Sequence, residues 1–363
     1  MTATHLKFLN KDKSLFFSVL RTRIEDHFAE NGFSKAGGSP ILYKSLFMLG
    51  LYLIPYALLL TNWFSATGMM ALFAIMGLGI AGVGMSVMHD ANHGSFSAHS
   101  WVNGCFSSSL YLLGGNVYNW KIQHNTLHHT YTNIDQLDSD ITGKPFLRLS
   151  VEQPLQKMHR YQHLYAFLLY GLMTFSFLLK DIKQVRDFNQ KARQRLTRPF
   201  PLPEVLILTF SKLLYLVFIC LLPLLVTDLS VWQWALGFLA MNFVAGLVLS
   251  TIFQLAHVVE DIMPPVLNVD GNIENAWAIH QLESTANFSG SRLVSWFIGG
   301  LNYQIEHHLF PSISHIHYPA IAPIVRATAL EYGLPYHQKA SLGQAVRSHI
   351  EQLKKLGRPI ASR

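Results

Sequence analysis

The chain has 363 residues; 28 are Lys or Arg and 21 Asp or Glu, so charged residues make up 13% and hydrophobic ones 50%. A soluble domain carries about 25% charged residues, so this composition excludes a large water-soluble globule and requires that part of the surface face lipid. The net charge of +7 suits anionic lipid as readily as nucleic acid, but the cations do not form a groove-like cluster, and two cysteines, Cys105 and Cys220, exclude a disulfide scaffold or a Cys-rich metal site.

The opening residues, MTATHLKFLNKDKSLF, have no apolar core or small-residue cleavage site, so no signal peptide is expected. A short amphipathic helix is predicted from Ser14 to Phe28, and Gly37-Gly38-Ser39-Pro40 reads as a breaker. Apolar segments at about 45–62 and 66–88 follow, separated only by Asn62-Trp63-Phe64-Ser65. The second is long enough to cross a hydrocarbon layer of about 30 Å, so the pair is predicted to form a membrane hairpin. Segments at about 205–227 and 231–256 form a second hairpin, turning at Thr227-Asp228-Leu229-Ser230. Neither turn carries Lys or Arg. The cations lie in the N-terminal arm (Lys7, Lys11, Lys13, Arg21, Arg23, Lys35) and before the second hairpin (Lys180, Lys183, Arg186, Lys191, Arg193, Arg195, Arg198). The positive-inside bias therefore puts both termini and the middle region in the cytoplasm.

Two further apolar stretches are predicted to lie at the interface. Residues 101–118 contain Trp101, Tyr111 and Tyr118, and residues 161–179 are bounded by His159-Arg160 and Lys180-Asp181. The expected fold is an all-α integral membrane protein: four transmembrane helices in two hairpins, with a cytoplasmic helical cap holding a histidine-rich di-metal site. Its parts are an arm, 1–44, a membrane domain, 45–335, and a tail, 336–363.

Eighteen histidines are present, and three groups stand out. His89-Asp90-Ala91-Asn92-His93 places two imidazoles at i and i+4, on one face of a helix. In His124-Asn125-Thr126-Leu127-His128-His129 the spacings from His124 are four and five, with His128 in the better α-helical register. In Gln304-Ile305-Glu306-His307-His308 the glutamine precedes the pair by three and four. Each group follows an apolar region on the predicted cytoplasmic side, so all three can converge on one metal centre of the kind imidazole favours. HDANH departs from the zinc-protease HExxH pattern because Asp90 stands where a glutamate base belongs.

The motifs HDANHG at 89–94, HNTLHHTYTN at 124–133 and NYQIEHHLFP at 302–311 resemble the three histidine boxes of the membrane-bound fatty acid desaturase superfamily. Gln304, in place of the first histidine of the third box, resembles the front-end branch, which includes delta-5 and delta-6 acyl desaturases. The likeness runs through His280-Gln281-Leu282-Glu283-Ser284-Thr285-Ala286-Asn287-Phe288 and covers roughly residues 40–335. It implies a non-haem di-iron centre that uses dioxygen and two electrons to desaturate a long acyl chain carried on coenzyme A or a lipid. The implied ligands are His89, His93, His124, His128, His129, His307 and His308. His257, ending the fourth apolar segment, is the expected additional ligand and His280 the alternative. Gln304 is expected to bind directly, hold a water or orient a ligand.

An unactivated methylene has no acidic proton, so no separate acid or base is assigned and the metal carries the chemistry. Asp90, Asp135, Asp138, Asp140 and Glu306 are candidates to accept imidazole N–H bonds. Trp120, Tyr131, Trp277, Trp296 and Tyr303 are candidate walls of an acyl slot. Lys121, Arg148 and Lys157 are candidates for a phosphate-bearing head group.

Many front-end members carry an N-terminal cytochrome b-type haem domain with an HPGG motif. The arm here has no such motif and only His5 and His27, and the chain has no Walker A loop and no GxGxxG that opens a βαβ unit. No bound haem, flavin or nicotinamide is expected, and electrons should come from a separate ferredoxin or cytochrome b-type protein with its reductase. The basic stretch 183–198 and Lys354-Lys355-Arg358 are candidate contacts for that carrier. A membrane hydroxylase on the same scaffold, or a silent metal- or lipid-binding membrane protein, is the alternative; a nucleic-acid module is not expected. A Gram-negative source would place the chain in the inner membrane.

Overall fold

Among the described residues, four helices are long and apolar enough to cross a membrane: Gly38–Leu60, Ala66–His93, Leu202–Val226 and Val231–His257. The computed structural model describes residues 6–142, 145–193, 199–262 and 264–359, the side chains of 191–193 excepted. His5, Arg195 and Arg198 lie outside the described residues, as do the side chains of Lys191 and Arg193. The chain divides into two units: a membrane unit, 39–122 and 167–251, and a polar unit, 1–38, 123–166 and 252–363.

In the membrane unit the first helix begins at Gly38, before the apolar run. The cluster read as a breaker starts this helix instead, because a proline in the first turn has no intrahelical N–H bond to lose. Small residues let the helices approach closely: a Cβ on Gly79 would stand 2.6 Å from the Tyr52 nitrogen, and one on Gly246 would stand 2.7 Å from the Gly171 carbonyl oxygen. The third helix leaves Leu206, Phe210, Leu213 and Leu214 exposed, a surface suited to lipid. The two hairpin turns meet at one end of this unit, where the Asp228 N–H donates to Asn62 Oδ1 at 3.1 Å. Trp63 and Trp232 are exposed there, as interfacial aromatics are.

The stretch predicted at 101–118 consists of short helices, Ser100–Ser107, Ser109–Leu112 and Val117–Trp120. The other predicted interfacial stretch is bent by 73° between Lys157–Gly171 and Met173–Gln190.

The polar unit is built on an amphipathic first helix, Phe16–Asn31, whose Phe16, Leu20, Ile24 and Phe28 are buried. They pack with residues of the helices Trp277–Ser284, Gln304–Leu309 and Tyr318–Glu331. Each such side chain contributes about 1.5–3 kcal/mol by burial. A two-residue parallel pairing joins Asn287–Phe288 to Gln338–Lys339. The last helix, Leu342–Leu356, is tied down by Arg148, whose guanidinium donates to the carbonyls of Leu356 (2.7 Å), Gln153 (2.7 Å) and Val151 (2.6 Å). Arg148 is buried, and three of its five N–H groups donate to these carbonyls, which turns it toward the protein rather than toward a head group; Lys121 and Lys157 are exposed.

Candidate metal centre

The second histidine group does not sit on an α-helix. Residues Lys121–His128 form a π-helix, and the His129 N–H bonds to the His124 carbonyl five residues back. The wider turn brings His124 beside both followers, with ring centroids 5.2 Å from His128 and 4.8 Å from His129. Both spacings, four and five, are therefore used.

Six histidines of the polar unit pack together: His124, His128, His129, His257, His307 and His308, all buried. Ring centroids are 4.7 Å apart for His128 and His257, 4.9 Å for His257 and His308, 4.4 Å for His129 and His308, and 4.6 Å for His129 and His307. One ligand atom from each of His128, His257 and His308 falls within 4.8 Å of the others. His124, His128 and Asp140 form a second such group.

The outer hydrogen bonds fix which nitrogen faces inward. His128 Nδ1 lies 3.1 Å from Asp138 Oδ2, His257 Nδ1 lies 3.1 Å from the Ser284 carbonyl, and His308 Nδ1 lies 2.9 Å from Gln281 Oε1. All three partners accept only, so each Nδ1 carries the proton and each Nε2 keeps its lone pair. His257 Nε2 is buried with no hydrogen-bond partner among the described residues. His124 Nε2 and His129 Nε2 face each other at 3.2 Å. Neutral imidazoles with outer Nδ1–H bonds and inward Nε2 atoms are the arrangement a metal ligand set needs, and these residues fit a metal.

The surrounding groups hold this set in place. The Thr132 hydroxyl lies 2.7 Å from the His128 carbonyl oxygen and 2.9 Å from Gln281 Oε1, and Tyr318 OH is 3.1 Å from His307 Nδ1. Burial drives the Asp138 carboxyl upward, but His128 and the N–H groups of Asn133 and Asp140 prevail and hold it below the ordinary carboxylate range. Asp140 Oδ2 is 3.5 Å from His128 Nδ1. Asp135 instead accepts from Thr142 within its own loop. Glu306 accepts from Asn287 Nδ2 and Tyr336 OH, both at 2.8 Å, and burial pushes its carboxyl up to about 7.

His280 does not join the ligand groups. Its Nε2–H donates to the Thr132 carbonyl at 2.9 Å, so it supports the second motif from outside. Gln304 is buried, and its Nε2 has no hydrogen-bond partner among the described residues. Sequence reasoning missed Gln281, Ser284, Thr132 and Tyr318. Three of them lie within the quoted motifs, but only the fold shows which imidazole each one meets.

In the membrane unit, His89 and His93 have ring centroids 4.8 Å apart, as the i, i+4 spacing implies. Asp90 beside them is buried. Trp120 lies edge-on to both rings at 5.7 Å. Of the other candidate slot aromatics, Trp277 donates to the His129 carbonyl at 3.0 Å, Tyr131 stacks on Phe8 at 6.3 Å, and Tyr303 packs against the core of the polar unit. Trp296 is 40% exposed.

Comparison with known proteins agrees with the geometry. The profile of the family described as fatty acid desaturase matches residues 61–340. The chain is 35% identical to an acyl-lipid (8-3)-desaturase of Physcomitrium patens, over 97% of this chain and 74% of that one. It is 32% identical to an sn-1 linoleoyl-lipid 6-desaturase of Synechocystis, over 99% of each chain, and 30% identical to the enzyme of that name from Arthrospira platensis, over 98% and 96%. The motifs, the four apolar helices and the buried imidazoles together place this chain in the front-end branch of the membrane-bound fatty acid desaturase family.

Proposed function

We propose that the chain desaturates a long acyl chain esterified in a membrane lipid, at two non-haem irons. The proposed ligands are His89, His93, His124, His128, His129, His257, His307 and His308, with Gln304 contributing directly or through a water. The carrying observation is the set of imidazoles in the polar unit whose Nδ1 atoms are engaged from outside and whose Nε2 atoms face inward. The first-motif pair enters on the resemblance and on its own shared helix face. An acyl-lipid substrate is favoured over acyl-CoA because the relatives described above are named as acyl-lipid or linoleoyl-lipid enzymes.

Bound iron supplies the oxidising chemistry by which dioxygen, two electrons and two protons convert two neighbouring methylenes to a double bond and two waters. The chain's own residues do the rest. Asp138, Ser284 and Gln281 hold three imidazoles neutral and oriented, and burial keeps water from the ligand nitrogens. Electrons arrive from a separate ferredoxin or cytochrome b-type carrier on the cytoplasmic side, to which we also assign both termini. Expression in a host lacking the product, followed by mass spectrometry of its intact lipids, tests this reading. New double bonds in lipid-linked acyl chains, absent with His128→Ala, are expected. Unchanged lipids under aerobic conditions with an active carrier would refute it.

A further inference from the structure

The third membrane helix carries a cation near its midpoint. Lys212 lies about 15 Å along the axis from Leu202, half of a hydrocarbon layer about 30 Å thick. Its side chain is 13% exposed and its ammonium stands 2.7 Å from the carboxylate of Asp181, which is 9% exposed. The ammonium also donates to the carbonyls of Phe177, at 2.7 Å, and Gly114. Gly114 has φ +79°, a backbone conformation that favours glycine where the lysine reaches the backbone. Asp181 in turn accepts from Asn119 Nδ2, at 3.2 Å through its carboxylate and 3.3 Å through its backbone oxygen. The Asn119 N–H closes onto Asn116 Oδ1 at 3.0 Å.

One ion pair therefore grips a short segment of the membrane unit at both ends: Gly114 through Lys212 and Asn119 through Asp181. The next residue is Trp120, whose ring meets the rings of both His89 and His93 at 5.7 Å. A buried ion pair adds little net stability over apolar residues of the same size, and ionisable groups within a membrane mark function. We propose that Asp181 and Lys212 are positioning residues: they fix Trp120, and its indole holds the imidazoles of His89 and His93 in the orientation that a metal ion needs. The inference rests on the metal-centre reading and adds to it residues that lie outside every histidine motif.

The test compares the wild-type chain with Asp181→Leu/Lys212→Met, Trp120→Leu and the combination of all three. Iron retained per purified chain is measured after a fixed exposure to a chelator, alongside the unfolding temperature. Removing both charges together leaves no unpaired ion, so the double variant should unfold near the wild-type temperature. Its iron affinity should fall about tenfold or more, the loss typical of groups that orient a ligand. Because the pair acts through the indole, the triple variant should match Trp120→Leu alone. Wild-type iron retention in the double variant, or losses that multiply in the triple variant, would overturn the inference. If the double variant does not insert, Asn119→Ala cuts the segment from Asp181 while sparing the ion pair, and wild-type iron retention there would equally overturn it. A wild-type chain that never holds iron would instead defeat the metal-centre reading.

Discussion

Replacing Asp138 by Asn tests the outer hydrogen bonds with the least change of shape. Asp138 Oδ2 accepts from His128 Nδ1 at 3.1 Å and from the Asn133 N–H at 2.9 Å, while Oδ1 accepts from the Asp140 N–H at 2.9 Å. The carboxylate thus meets three N–H groups with two oxygens, at a site that is fully buried. An asparagine has one oxygen, so in either orientation its NH₂ group faces at least one of those donors. The stranded N–H costs about 1–3 kcal/mol of stability. Loss of the anionic partner also weakens the orientation and basicity of His128, and metal affinity should fall about 10–100-fold. Competition with a chelator of known affinity, followed by metal analysis and thermal unfolding of the metal-free chain, measures both effects. Wild-type metal affinity in Asp138→Asn would refute the assignment of His128 as a ligand held from outside.

Other predictions follow from particular contacts. Burial holds the His349 imidazole down to about 4, with Nδ1 2.7 Å from the Val258 carbonyl. Its unfolded value is near 6.5, so its stabilisation is complete above that pH and is lost as the pH falls towards 4. The loss is on the order of 3 kcal/mol, and His349→Gln should remove this part of the pH dependence of the unfolding temperature. Arg148→Met should lower that temperature by stranding three carbonyls, and Arg148→Lys should not restore it, because an ammonium cannot span the fork; wild-type stability in either would refute the role. Single cysteines at Asn62 and Ser230 should react with an external, impermeant reagent and those at Asn189 and Ser341 should not. Opposite exposure of Asn189 and Ser341 would overturn the four-crossing topology.

The membrane helices were legible because continuous apolarity and cation-free turns are properties of the chain alone. Their ends were less so: Pro40 reads as a breaker yet starts a helix, since position within the first turn decides its effect. The histidines of the three motifs were legible by type and spacing. The π-helix under His124, His128 and His129 was not, because a one-residue widening leaves no mark in hydropathy. The competition between His257 and His280 could not be settled from spacing either. Both are buried, and spacing does not show that His257 Nδ1 meets the Ser284 carbonyl while His280 Nε2 meets the Thr132 carbonyl. In the sequence Asp181 borders the 161–179 stretch and Lys212 falls inside the 205–227 span, and their pairing required the fold.

Counting the metal is the most direct test of the central claim. The full chain, purified in mild detergent from cells grown with iron, should contain two irons per chain by mass spectrometry of the metal, and His257→Ala should contain fewer while remaining folded. One iron or none in the wild type, or zinc held in preference to iron, would contradict a di-iron centre built on these histidines.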